Sequence, residues 1–131
     1  MSATASGTFT VNMVPTATTN EAAKAISGMQ LSKVYTGDLA GAGEGNMLMV
    51  RTATKGSAGY VALELVTATL GQKSGSFLLQ HSGTMNKGDP SLRVTVVPDS
   101  GTQGLVGLAG AMMIDVTDGG HHYSFDYTLP E

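Results

Sequence analysis

Apolar and polar residues alternate along most of this chain, and glycine clusters cut the alternation into segments of strand length. In one segment, Val61, Leu63 and Leu65 share a face. Ala62 and Glu64 share the opposite face. The alternation predicts eight strands, at Ala5–Val14, Ile26–Gly37, Gly43–Thr54, Gly59–Leu70, Ser74–Met85, Ser91–Val97, Leu105–Val116 and His121–Leu129.

The short turns between these strands favour antiparallel pairing of consecutive neighbours. Eight such strands can close on themselves, so we predict an all-β fold, an eight-stranded antiparallel barrel, as one domain over residues 1–131. A two-sheet β-sandwich has the same alternation and is the alternative. Between the first two strands, Thr16–Lys24 is irregular or holds one short helical turn, since Asn20–Lys24 is the one helix-favouring stretch. The interior of such a barrel is filled by side chains or holds one small ligand.

Composition excludes several classes of function. Seven Lys or Arg against ten Asp or Glu give a net charge of −3, which argues against a general nucleic-acid binder. The chain has no cysteine, so disulfides and thiolate chemistry are excluded. No apolar run reaches the length of a membrane helix and no secretory signal is evident, so we expect a cytoplasmic protein. His121 and His122 point to opposite faces of a strand, and we expect neither a metal nor a cofactor.

Two residues are candidates for catalysis. Glu64 is a carboxylate in the middle of an apolar strand, a position from which acids are depleted. If its face lines a cavity, we expect burial to raise its pKa and make it a general acid or base. His81 and Gln80 lie in the next strand, where one of them could pair with Glu64 across the ladder. The alternative is that Glu64 points to solvent or lies at a subunit contact, and that His81 is a core or rim histidine with one hydrogen bond.

Four further residues are candidate ligand contacts. Tyr60 shares the face of Glu64. Gln80 and Ser82 share one face of the fifth strand, and Tyr35 shares a face of the second strand with Lys33. Eight methionines are also present, Met47 and Met49 among them, and we interpret these as core filling.

Four segments together resemble a known bacterial family of unknown function, the DUF3224-like domains, whose members are similar to the allene oxide cyclase barrel. The segments are Tyr35–Leu39, Gly59–Glu64, Gly75–Gly83 and Val96–Thr102. The resemblance implies an eight-stranded barrel and a homodimer. In allene oxide cyclases the barrel holds an apolar substrate derived from a fatty acid, and a glutamate in the cavity steers a cyclisation. The resemblance supports a cavity but transfers no activity.

Three functions follow as hypotheses. The first is a cyclase or isomerase that holds an apolar or oxygenated small molecule, with Glu64 in proton transfer or charge stabilisation and His81 beside it. The second is a barrel that binds such a molecule without turnover. The third is a structural or interaction module whose barrel is filled by its own side chains.

Overall fold

Eight strands form one closed antiparallel barrel in a computed structural model of the chain, which describes residues 2–16 and 25–130. The predicted helical turn at Asn20–Lys24 lies outside the described residues. The strands are β1 (Ser2–Thr16), β2 (Ser27–Gly37), β3 (Leu39–Arg51), β4 (Ala58–Leu70), β5 (Lys73–Asn86), β6 (Asp89–Val96), β7 (Ala109–Thr117) and β8 (Gly120–Thr128).

Each strand pairs with its neighbours in sequence, and β1 closes the barrel by pairing antiparallel with β8. The closing register runs from Ser2 opposite Thr128 to Phe9 opposite His121. The predicted barrel is therefore confirmed, and the alternative sandwich is wrong because the described strands form one continuous closed sheet, whereas a sandwich needs two.

Side chains alternate across the barrel wall as the sequence pattern predicts. In β4, Glu64 and Val66 point inward and are buried. On the outer face of the same strand, Val61, Leu63 and Leu65 are 45–55% exposed. At its centre, the inner face of β4 is therefore less hydrophobic than the outer face, because it carries the carboxylate of Glu64.

The starts of two predicted strands differ most from the structure. The third strand, predicted to begin at Gly43, begins at Leu39, and its Gly43 and Gly45 leave room for the neighbouring side chain and backbone of β4. Leu105, predicted to begin the seventh strand, instead ends a short 3-10 helix (Gln103–Leu105), and β7 begins at Ala109. Gln103 and Gly107 both have positive φ, which is incompatible with a continuous strand there.

The two ends of the barrel differ in packing. The closed end, where β4 turns into β5 and the 3-10 helix packs, holds the apolar core. Its fully enclosed side chains include Leu39, Phe77, Leu79, Leu105 and Phe125. The opposite end, which we call the open end, is where β3 turns into β4 and β5 into β6. No helix within residues 2–16 and 25–130 is long and apolar enough to cross a membrane.

Candidate functional site

The open end contains a cavity of about 440 Å³. Its wall is mostly apolar, and every strand contributes to it. The apolar lining includes Phe9, Val11, Met13, Leu31, Met47, Met49, Met85, Leu92 and Ile114. The ionisable or hydroxyl-bearing lining residues are Lys33, Tyr60, His81, Thr84, Ser91 and His121. This combination of apolar walls with few polar groups is typical of small-molecule sites.

Four side chains meet at the inner end of this cavity, around the carboxylate of Glu64. Lys33 Nζ donates to Glu64 Oε1 at 3.0 Å, and His81 Nε2 lies 2.9 Å from the same oxygen. The hydroxyl of Tyr35 donates to Glu64 Oε2. We call these four residues the Glu64 cluster. Its members lie on β2, β4 and β5, so the pairing of β2 to β5 through β3 and β4 brings them together.

Burial separates the members that a ligand can reach from those it cannot. Glu64 has an exposed fraction of 0% and Tyr35 of 1%, and neither lines the cavity. Lys33 at 7% and His81 at 4% do line it. Glu64 therefore lies behind Lys33 and His81, and these two present the polar surface of the cluster to the cavity.

The surroundings of Glu64 favour its ionised form. Burial raises the pKa of the carboxyl, but hydrogen bonds from His81, Tyr35 and Lys33, together with the positive charge of Lys33, bring its pKa below the ordinary value. The expectation of a raised pKa was thus wrong in its net direction, because it considered burial without the three partners. A carboxyl with a lowered pKa is a base or an anchor for cations, and a poor proton donor at neutral pH.

Two aromatic rings also lie close to the ammonium of Lys33. Nζ lies 4.6 Å from the centroid of the Phe9 ring and 5.7 Å from that of Tyr35. Nζ also lies 3.5 Å from the Tyr35 hydroxyl. Cation–π contacts and the ion pair together compensate for the desolvation of the ammonium.

Tyr60 lies beside the cluster and keeps its proton. The α-carbon of Gly83, directly across the β4–β5 ladder, leaves space for the Tyr60 ring, which a side chain at that position would meet. Burial, and then the negative charge of Glu64, raise the pKa of the Tyr60 phenol. A neutral phenol on the cavity wall is a hydrogen-bond donor for a ligand oxygen.

Comparisons with known proteins agree with this architecture. The family model described as "Protein of unknown function (DUF3224)" matches residues 5–127. The chain belongs to the DUF3224 family. The crystal structure of a protein with unknown function from this family, from Shewanella oneidensis MR-1, is similar with a TM-score of 0.93 and 38% identity, over 100% of this chain and 99% of that one. No curated protein matches the chain. The likeness to allene oxide cyclases and the homodimer stay predictions.

The structure brings together some of the predicted site residues in this member of the DUF3224 family. Glu64 and His81 are hydrogen-bonded, Tyr35 contacts Glu64, and Tyr60 lines the cavity. Their roles in catalysis and binding stay predictions.

Gln80 and Ser82 lie elsewhere, and their assignment to an interior ligand site was wrong. Both are exposed on the outer face of β5, because they alternate with the inward-pointing His81. A molecule in the barrel cavity does not reach them.

Lys33 is a residue of the site that was not predicted from the sequence. Strand alternation places it on the same face as Leu31 and Tyr35, both buried, and a lysine in that pattern was the available signal. Met47 and Met49, interpreted as core filling, line the cavity instead. Among the residues that the structure describes, no three His, Cys, Asp or Glu side chains form a group that could hold a metal ion.

Proposed function

We propose that the protein binds a small, largely apolar or oxygenated molecule in the cavity at the open end and isomerises it by proton transfer. The observation that carries the proposal is the shared anchoring of Lys33 and His81, the cavity-facing groups of the cluster, on one enclosed carboxylate oxygen. Enclosing ionisable groups costs stability unless they are paired, and such clusters in clefts are typical of functional sites.

The proposed roles follow from position. Glu64 does not reach the cavity, so it acts through its partners as a positioning residue that orients His81 and holds the charge of Lys33. His81 and Lys33 contact the ligand, and Tyr60 orients it by donating a hydrogen bond.

Binding without turnover is the second candidate. It is favoured by the internal pairing of the enclosed atoms of the cluster, since within the described residues no enclosed side-chain nitrogen or oxygen lacks a hydrogen-bond partner. A cluster that needs no ligand to satisfy it can serve as a fixed polar anchor at the end of an apolar site.

Binding is tested first, by native mass spectrometry of protein purified from its source organism and by fluorescence of the apolar probe N-phenyl-naphthylamine. Ala58 lines the cavity, so Ala58→Trp should fill it and weaken probe binding at least about tenfold, because the probe loses its apolar contacts. Ala42 is exposed on the outer face of β3, and Ala42→Trp is the matched control. Equal affinities of the two variants would contradict a cavity ligand.

Turnover is tested with the molecule that copurifies. Wild-type protein should convert it to an isomer of equal mass, separable by chromatography. Glu64→Gln should retain binding and lose turnover, whereas Glu64→Asp should recover part of it. A bound molecule that the wild type leaves unchanged would favour the binding function.

A further inference from the structure

The two ring nitrogens of His81 have different surroundings. Nε2 lies 2.9 Å from Oε1 of Glu64. An ionised carboxylate only accepts hydrogen bonds, so Nε2 is the nitrogen that donates to it, and in the neutral imidazole this leaves a lone pair on Nδ1. Nδ1 has no hydrogen-bond partner among the described residues. Every enclosed side-chain nitrogen and oxygen of those residues has a partner, so Nδ1 is not enclosed. Since His81 lines the cavity, Nδ1 is open to a ligand.

Lys33 supplies a cation next to that lone pair. Its ammonium has three donor hydrogens, of which Glu64 accepts one and the Tyr35 hydroxyl lies within reach of a second. The remaining donor is available to a ligand oxygen on the cavity side. An ammonium in an ion pair has no lone pair, so it stabilises negative charge and does not act as a nucleophile.

The charge of the wall restricts the ligand. Among the described residues that line the cavity, Lys33 is the one Lys or Arg, and none is Asp or Glu. Glu64 already balances the charge of Lys33 from behind. An anionic ligand would therefore find no unpaired cation, and an uncharged molecule fits best.

We propose that the substrate is an uncharged, largely apolar ketone with a hydrogen on the carbon next to its carbonyl. His81 is the base that removes this hydrogen, and Lys33 binds the carbonyl oxygen. This inference deepens the proposed function and rests on it. Nζ of Lys33 lies 3.0 Å and Nε2 of His81 lies 2.9 Å from Oε1 of Glu64. The base and the cation therefore lie side by side on the cavity wall.

The step balances without a co-reactant. The proton of the α-carbon passes to Nδ1 of His81, and its bonding pair forms a carbon–carbon double bond. The carbonyl π pair moves to oxygen, where the negative charge develops beside Nζ of Lys33. The resulting imidazolium is stabilised by the Glu64 carboxylate. In deuterium oxide the proton on Nδ1 is replaced by a deuteron from solvent, and delivery of that deuteron to the α-carbon gives exchange. Delivery to the γ-carbon of a β,γ-unsaturated ketone shifts the double bond into conjugation.

The test measures hydrogen exchange in deuterium oxide by mass spectrometry, with β-tetralone as the probe ketone. Binding of β-tetralone is followed separately by displacement of N-phenyl-naphthylamine. Wild-type protein should accelerate α-exchange at least about a hundredfold over buffer, the lower range for a positioned general base. A β,γ-unsaturated cyclohexenone should be converted to its conjugated isomer, which has a distinct ultraviolet absorbance.

Variants assign the roles. His81→Gln keeps an amide that can donate to Glu64, so it should fold and bind β-tetralone but lose the acceleration. The Lys33→Met variant should lose most of the acceleration of exchange. His122 is exposed on the outer face of β8, and His122→Gln is the matched control that should retain the full rate. Circular dichroism checks the fold of each variant.

Four results would overturn the inference. Bound β-tetralone with no exchange above buffer excludes the reaction but leaves ligand binding intact. Failure of the wild type to bind β-tetralone excludes this substrate class, while the molecule that copurifies still tests the proposed function. Full exchange by His81→Gln, or trapping of a ketone on Lys33 by sodium borohydride, excludes the assigned roles.

Discussion

Gly43 lies against the carboxylate of Glu64, and the absence of a side chain at position 43 gives that carboxylate its place inside the barrel. In the β3–β4 ladder Glu64 stands opposite Gly45, and Gly43 is the next residue of β3 on the same face. A β-carbon at position 43 would overlap Oε2 of Glu64 and press on the ring of Tyr35. The glycines of β3 thus serve the site and do not mark a turn.

Gly43→Ala should displace the Glu64 carboxylate and weaken its hydrogen bond with Tyr35. Because the interior around it is closely packed, we expect a loss of about 1–3 kcal/mol in the free energy of unfolding, measured by urea denaturation. Gly59 is a matched control in β4, since a β-carbon there would meet no atom closer than 3.9 Å. Equal stability of Gly43→Ala and Gly59→Ala would contradict the tight fit.

The sequence predicts the strands well because strand alternation is a local property. Side chains on successive residues point to opposite faces whatever the rest of the chain does, so alternation placed Glu64 opposite Val61, Leu63 and Leu65 but left open which of the two faces is the inner one. Leu105 was placed wrongly because the backbone at Gln103 and Gly107 has positive φ, which alternation does not reveal. The start of β3 was predicted at Gly43 and not at Leu39, because glycine is depleted in strands and the side chain that Gly43 accommodates lies on another strand.

The partners of Glu64 were harder to predict. Lys33 is 31 residues away and on β2, so its ion pair depends on the register of two ladders across β3. The direction of the Glu64 pKa depended on those partners as well. Burial alone predicts a raised pKa, whereas burial with three donors gives a lowered one.

A double-mutant cycle should show that Lys33 and Glu64 depend on each other. Glu64→Gln leaves the ammonium of Lys33 enclosed without its counter-ion, and Lys33→Met leaves the carboxylate without its cation. Breaking an enclosed ion pair from one side costs about 3–5 kcal/mol, so each single variant should lose that amount of unfolding free energy. The double variant should lose less than the two losses combined, because it encloses no unpaired charge.

An exposed lysine provides the control for that cycle. Lys73→Met, at the start of β5, should change the unfolding free energy by less than about 0.5 kcal/mol. Strict additivity of Lys33→Met and Glu64→Gln would contradict a direct interaction between the two charges.

Acid should destabilise the protein partly through Glu64. The pKa of Glu64 in the folded barrel lies below the ordinary value of 4.5, so the unfolded chain takes up the proton first as the pH falls. The stabilisation by ionised Glu64 is therefore complete above pH 4.5 and is lost as the pH falls from there through the folded pKa. In Glu64→Gln this component is absent, and the slope of stability against pH should be shallower by up to about 1.4 kcal/mol per pH unit.

Urea denaturation of wild type and Glu64→Gln over a series of acidic buffers measures the two slopes. The comparison uses slopes and not absolute stabilities, since the variant starts from a lower value. Parallel curves below pH 4.5 would show that the carboxyl titrates alike in the folded and unfolded chain.

Alkali should destabilise the protein partly through Tyr35. Burial first, and then the charge of Glu64 and its hydrogen bond, raise the pKa of Tyr35 well above the ordinary value of 10.0. The folded chain keeps this phenol neutral while the unfolded chain ionises it, so stability falls as the pH rises above 10.0. Tyr35→Phe cannot ionise at this position, and its stability should fall less steeply over the same range.

The same variant also removes the hydrogen bond to Oε2 of Glu64, so at neutral pH it should lose about 1.5–3 kcal/mol of unfolding free energy, the range for hydrogen bonds to charged groups. Tyr127→Phe is the matched control, because Tyr127 packs against Phe125 and lies outside the Glu64 cluster. Urea denaturation from neutral pH to above 10.0, with tyrosinate absorbance followed in parallel, measures both effects. Equal losses of stability by Tyr35→Phe and Tyr127→Phe in alkali would contradict a pKa of Tyr35 that is raised by burial and by Glu64.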